Sequence, residues 1–118
     1  MLATKQMPVE VLAELANEFA AGLPARAAVM REAVDEIAHR RSVEAAQRLR
    51  LGAHALAGTA SAFGAMELVP HAERLESLGK EWQERQGVAG AAELARANET
   101  LAQLTAMIDI VTERLRTR

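Results

Sequence analysis

Apolar residues recur along most of the chain at steps of three and four, the spacing that places them on one face of an α-helix. The most regular pattern runs from residue 91 to about residue 116 and predicts the last helix. It has the repeat of a helix that packs against close neighbours in a bundle. Its apolar positions are Leu94, Ala97, Leu101, Leu104, Ile108, Val111 and Leu115.

Glycine and proline residues divide the N-terminal part of the chain. They predict a first, short helix over Pro8–Ala21 that ends at Gly22, and a second helix from Pro24 to about Arg40. Proline is tolerated in the first turn of a helix, where its missing N–H group would have no partner, and glycine favours helix ends.

Two further helices are predicted in the middle of the chain. Ser42 is a suitable N-cap for a helix that reaches Gly64, because its hydroxyl can accept a hydrogen bond from a free backbone N–H group. The next helix covers about Met66–Gln86 and begins no earlier than Glu67, because Pro70 must lie in its first turn. Its expected core positions are Leu68, Ala72, Leu75, Gly79 and Trp82.

Four long amphipathic helices joined by short loops pack with neighbouring helices antiparallel. The predicted fold is therefore all-α, an antiparallel up-down-up-down four-helix bundle with a short extra helix at the N-terminus. Residues 1–118 are expected to form one domain, with the core bundle over about residues 24–116. Composition agrees, since 118 residues suit a single core and an aromatic content of 3% is low for a sheet.

Composition also excludes several classes of protein. The sequence has no cysteine, so disulfides, thiolate metal sites and cysteine nucleophiles are ruled out. With a net charge of −2 and no aromatic residues among its arginine clusters, nothing favours a nucleic-acid partner. No apolar run is long enough to cross a bilayer, and no signal-peptide core follows Met1. We expect a soluble, cytoplasmic domain without a membrane partner, and a monomer as the simplest state.

The helix that ends at Gly64 carries a histidine on a face of small residues. One side of its helical wheel is apolar, and another side holds Gln47, Arg50, His54, Ala57, Gly58 and Ser61. Alanine contributes no reach to an exposed stripe, and glycine costs helix propensity, so this composition needs an explanation. We interpret the stripe as a surface where another protein's backbone approaches His54. For Gly58, the alternative is close packing between helices of the bundle.

The pattern around this histidine resembles the histidine-containing phosphotransfer (Hpt) domain, in which an H-x-L-K-G core leads through small residues to a glycine. The residues that carry the resemblance are His54, Leu56, Gly58, Gly64, Leu68 and the pair Leu75-Glu76. The number and order of helices also match across nearly the whole chain. The resemblance implies a phosphorelay intermediate, in which His54 accepts a phosphoryl group from a histidine kinase, a hybrid kinase or a receiver aspartate. His54 then passes it to the aspartate of a response-regulator receiver domain.

The resemblance also implies roles for neighbouring residues and partners. Nε2 of His54 must be free and exposed, and an acceptor for the Nδ1 proton should fix the tautomer. The matching position is Glu76, although Glu76 could instead form an ordinary surface pair with Lys80. No cofactor is expected in this chain, because the magnesium ion for aspartyl transfer would come from the receiver. No ATP-binding motif is present, so we expect a phosphocarrier rather than an enzyme.

Ala57 departs from the family pattern, which usually has lysine at this position, near the incoming phosphate. Arg50, one turn before His54, or Lys80 could supply the missing charge. The same departure keeps a second hypothesis open, in which the chain is a degenerate domain that binds or sequesters a partner without carrying phosphate.

A di-metal centre is the remaining alternative for a helical bundle. Glu36 and His39 have the E-x-x-H spacing that di-iron bundles use twice. The motif occurs once here, and Glu67 and His71 do not supply a second copy. We therefore expect no metal site.

Overall fold

The computed structural model of the protein describes residues 8–116, and within them the chain forms four α-helices and no strand. The helices are α1 (Val9–His39), α2 (Val43–Ala62), α3 (Val69–Glu84) and α4 (Ala91–Arg116), with a 3₁₀ turn at Met66–Leu68 directly before α3. They pack in a ring, in which α1 and α3 each contact both α2 and α4. The predicted all-α four-helix bundle is confirmed.

α1 is a single helix of 31 residues. The predicted short helix over Pro8–Ala21 and the break at Gly22 are therefore wrong, since Gly22 and Pro24 both lie inside Val9–His39. A proline in a helix interior removes one backbone hydrogen bond and ordinarily costs about 3 kcal/mol. Something else in the structure must offset this cost.

Burial on both sides of Pro24 explains why α1 continues. Phe19, Leu23 and Ala27 follow one another at steps of four on the same stripe, and each is at most 6% exposed. The ring of Phe19 also stacks on Phe63 after α2, with the ring centroids 4.9 Å apart. A helix end at Gly22 would turn this stripe away from the core, so tertiary packing outweighs the local signals. The buried core consequently begins at Phe19, earlier than the bound expected near residue 24.

The two ends of α2 are fixed by local hydrogen bonds. Ser42 is the N-cap, as predicted, and its hydroxyl accepts from the backbone N–H of Ala45 at 3.0 Å. At the other end, Gly64 has a positive φ of 73°, a conformation that glycine adopts without strain. The N–H of Ala65 donates to the carbonyl of Ala60 at 2.8 Å, which closes a Schellman motif. These caps determine where α2 begins and ends.

The predicted core positions of α3 and α4 are buried, apart from Leu94, which is half-buried at the edge of the core. Trp82 is fully buried on α3, and its indole N–H donates to Oε1 of Glu93 at 3.1 Å. The same oxygen accepts from the backbone N–H of Gly90 at 2.8 Å, as the third residue of a helix does in a capping box. One carboxylate therefore caps α4 and joins it to α3.

Polar contacts also link the outer surfaces of the helices. Glu36 on α1 pairs with Arg48 on α2 at 2.7 Å, and Arg114 on α4 pairs with Glu67 in the 3₁₀ turn. These pairs are partly exposed, so each adds little to stability by itself. None of the helices described between residues 8 and 116 combines the length and the apolar character needed to cross a membrane.

The Glu93 cap predicts a loss of stability in acid. The Gly90 N–H, together with Arg85 and Trp82, holds the pKa of Glu93 below its ordinary value of 4.5. A carboxyl group whose pKa is lower in the folded than in the unfolded protein stabilises the fold at pH values above its unfolded-state pKa. This stabilisation is lost as the pH falls through the folded-state pKa. We expect urea unfolding to show that Glu93→Gln lowers stability at neutral pH and makes it less pH-dependent below about pH 5.

The matched control for this experiment is Glu84→Gln. Glu84 is exposed, and its side chain makes no hydrogen bond or ion pair to any residue between 8 and 116. Its substitution should leave the pH profile of the wild-type protein unchanged. An equal effect of the two substitutions would contradict the assignment of this stability to the α4 cap.

Candidate functional site

His54 lies on the outward face of α2, with 72% of its side chain exposed. The opposite face of the helix is fully buried at Ala53, Leu56 and Ala60. Because these apolar residues hold α2 against the core, the residue that follows Ala53 by one step of the helix must project away from it. The imidazole is therefore accessible to a second molecule.

Glu76 on α3 is the hydrogen-bond partner of this imidazole. Nδ1 of His54 lies 2.9 Å from Oε2 of Glu76. A carboxylate only accepts hydrogen bonds, so the proton of the neutral ring is assigned to Nδ1. Nε2 then carries the lone pair, and it makes no hydrogen bond to residues 8–116. Glu76 forms no ion pair with Lys80 within this part of the chain, in contrast to the alternative raised by the sequence.

α2 and α3 approach each other closely near Glu76. A Cβ atom at Gly79 would lie 2.8 Å from the backbone nitrogen of Arg50 and 3.0 Å from its Cα. Only glycine permits main chains to approach this closely. Because the two helices are antiparallel, one turn from Arg50 to His54 on α2 corresponds to about one turn back from Gly79 to Glu76 on α3. The contact therefore lies one turn away from the histidine–carboxylate pair.

The small residues on the histidine face occupy different environments. Gly58 is exposed, and a Cβ atom built on it would meet nothing within 4 Å. This excludes the alternative that Gly58 is needed for packing between helices. Ser61 is also exposed, whereas Ala57 is half-buried and packs against the core. Gly58 and Ser61 thus leave open space on the side of α2 that carries His54.

The two cations considered from the sequence are held differently. Arg50 is half-buried, and its Nε donates to Oε1 of Gln83 on α3 at 2.7 Å. Lys80 is exposed, and its side chain makes no hydrogen bond or ion pair to residues 8–116. It follows Glu76 by one turn of α3. The ammonium group of Lys80 is therefore free to move, while the guanidinium of Arg50 is held against α3.

Sequence reasoning missed two residues near the site. Gln83 accepts the hydrogen bond from Arg50. It lies about two turns after Glu76, which places both residues on the same face of α3, and this helical spacing is the sequence signal that could have identified it. Leu51 is 48% exposed three residues before His54, where an apolar side chain interrupts an otherwise polar and small-residue face. Its exposure could have been anticipated because Leu51 lies outside the buried stripe of α2.

The residues of the di-metal alternative lie in separate contacts. Glu36 pairs with Arg48, and Nδ1 of His39 lies 2.8 Å from the carbonyl oxygen of Asp35. Glu67 is occupied by an ion pair to α4. In the part of the chain that the structure describes, no three histidine, aspartate or glutamate side chains are close enough to hold a metal ion.

The fold and the site together define a class of protein: a four-helix bundle whose second helix presents an exposed imidazole that is hydrogen-bonded to a carboxylate on the third helix. The chain belongs to the Hpt domain family, because the family model of the Hpt domain matches residues 12–113, most of its length. Comparisons with curated proteins and with solved structures give no significant match. Hpt domains act in two-component phosphorelay signalling and interact with histidine kinases and receiver domains.

The bond between His54 and Glu76 predicts the tautomer of the neutral imidazole. NMR chemical shifts of the two ring nitrogens should show the proton on Nδ1 in the wild-type protein. In Glu76→Ala the acceptor is lost, and the proton should shift toward Nε2, the site that an unpaired histidine favours in water. The control is Glu73→Ala, since Glu73 is exposed one turn earlier on α3 and its side chain makes no hydrogen bond within residues 8–116. Identical ring shifts in all three proteins would contradict the prediction.

Proposed function

We propose that this Hpt domain is a monomeric, cytoplasmic phosphorelay intermediate in which His54 carries the phosphoryl group. The observation that supports this most directly is the exposed imidazole with Nδ1 bonded to Glu76, which leaves the Nε2 lone pair free. A nucleophile for in-line phosphoryl transfer needs both this lone pair and open access. Membership of the family makes this chemistry the first to test.

In the proposed step, Nε2 of His54 attacks the phosphorus atom of a phosphorylated receiver aspartate. The N–P bond forms while the P–O bond to the aspartate breaks, and the aspartate leaves as a carboxylate. The proton stays on Nδ1, so the ring becomes positively charged, and the facing carboxylate of Glu76 stabilises this charge. Transfer onward to a second receiver is the reverse of this step. A kinase phosphohistidine would donate in the same way, with a P–N bond breaking.

The proposed partner is a response-regulator receiver domain, with a histidine kinase or hybrid kinase as donor. The open space at Gly58 and Ser61 gives a receiver loop access to His54 from the outer side of α2. Leu51 adds an exposed apolar side chain on the same helix. Magnesium for the aspartyl chemistry belongs to the receiver in this proposal, and this chain acts as a phosphocarrier without kinase activity.

Ala57 leaves the phosphate without the lysine that is usual in the family, and we propose that Lys80 supplies the charge. Lys80 has no competing partner within residues 8–116, and it lies one turn from the residue that holds His54. Arg50 is half-buried and hydrogen-bonded to Gln83, so its side chain would have to break that hydrogen bond to turn toward a phosphate. The hydrogen bond that holds Arg50 therefore supports Lys80 as the cation in this proposal.

The test of this function is phosphoryl transfer to wild-type protein and to His54→Gln. Incubation with a phosphorylated receiver or an active kinase should give an acid-labile, base-stable label on the wild type alone. His39→Gln is the matched control, because His39 is exposed at the end of α1 and should not affect labelling. Tight receiver binding without any label on the wild type would instead support the adaptor or sequestering hypothesis that Ala57 keeps open.

The assignment of the cation predicts a difference between two alanine variants. Lys80→Ala should slow transfer by about fivefold or less, since an exposed ion pair contributes at most about 1 kcal/mol. This loss should shrink as salt is added, and Lys80→Arg should restore the rate. Arg50→Ala should act mainly on stability, measured by urea unfolding. A salt-sensitive loss of transfer in Arg50→Ala, with none in Lys80→Ala, would reverse the assignment.

A further inference from the structure

Two glycines bring main chains into direct contact along the line where α2 meets the α3 segment. The Cβ position of Gly79 lies 2.8 Å from the nitrogen of Arg50 and 3.1 Å from the carbonyl oxygen of Ala46. In the turn after α3, Gly87 has a φ of 82°, and its Cβ position lies 2.5 Å from the nitrogen of Ser42. α3 is therefore held against α2 near its middle and at its end.

We propose that Gly79 is a positioning residue for the phosphotransfer. By setting the separation of α2 and α3, it sets the distance at which the carboxylate of Glu76 meets Nδ1 of His54. The effect on transfer rests on the proposed function, whereas the effect on the histidine–carboxylate hydrogen bond does not.

The distances leave little tolerance for a larger residue. An ordinary contact of a Cβ atom begins at 3.4 Å, so an alanine 2.8 Å from Arg50 would push the helices apart by roughly half an ångström. The contacting atoms all belong to the main chain of α2, so no side-chain rotation can relieve the clash. The bond from His54 to Glu76 is now 2.9 Å long, and a hydrogen bond is largely lost by about 3.5 Å.

The neighbouring contact between Arg50 and Gln83 does not fix the separation of α2 and α3. It joins the ends of two long, flexible side chains at 2.7 Å, whereas the pair at the site includes the rigid imidazole ring of His54, which is attached through a single methylene group and has less freedom to follow a movement of either helix. Of these two contacts, only the one at Gly79 is rigid on both sides, because each side is the backbone of an α-helix. This difference singles out Gly79 rather than Gln83 as the residue that controls the site.

The decisive variant is Gly79→Ala, compared with Gly22→Ala. Gly22 is also inside a helix, but a Cβ atom there would meet nothing within 4 Å. In Gly79→Ala, the ring-nitrogen shifts of His54 should move toward those of Glu76→Ala, and transfer at saturating receiver should slow roughly ten- to hundredfold. In Gly22→Ala, both measurements should equal those of the wild type. Wild-type ring shifts and an unchanged rate in a folded Gly79→Ala protein would overturn the proposal.

A second variant covers the case in which Gly79→Ala does not fold, as judged by circular dichroism. Glu76→Asp withdraws the carboxylate by one methylene without altering the contact between α2 and α3. The same shift of the imidazole proton and the same slowing are expected, and unchanged values would refute the dependence on distance. If the wild type never accepts phosphate, the proposed function fails, but the comparison of ring shifts still tests the positioning role.

Discussion

The contact between the main chains of α2 and α3 at Gly79 is the constraint on which the arrangement of the site depends. Helix packing through long side chains adjusts to small shifts, but packing through backbone atoms has a single distance at which it fits. The alanine-rich composition extends this close packing, since many buried positions of α2 and α3 carry only a methyl group: Ala45, Ala46, Ala53, Ala60 and Ala72. His54 and Glu76 thus project from two helices whose separation is set by backbone contacts and small buried residues, and not by the two side chains themselves.

Most of the fold could be predicted from local patterns because those patterns and the tertiary packing agree. The apolar repeat of α4, the cap at Ser42 and the place of Pro70 in the first turn of α3 are all as expected. α1 is the exception, because the local signals at Gly22 and Pro24 favour a break while the burial of Phe19 favours continuity. The sequence shows the signals for a break clearly. It shows the preference for continuity only weakly, since Phe63, the partner of Phe19, lies more than forty residues away.

The candidate site also combines features that the sequence predicts with features that only the structure shows. The exposure of His54 and the open face at Gly58 follow from the helical wheel, and the place of Glu76 follows from the family resemblance. The sequence gives no preference between Arg50 and Lys80, because the hydrogen bond that holds Arg50 is made to a residue on another helix. Gly79 was expected in the core, but its contact is with backbone atoms of α2, and no pattern along α3 reveals the distance to a neighbouring main chain.

Trp82 gives the protein an internal optical reporter. It is the single tryptophan of the sequence, it is fully buried, and its indole is bonded to Glu93. It lies one turn beyond Gly79 on α3, facing the core and the start of α4. All tryptophan emission therefore originates from the side of α3 that faces away from His54. A displacement of α3 caused by docking or phosphorylation would change the surroundings of this one fluorophore, so the event can be followed in real time without attaching a dye.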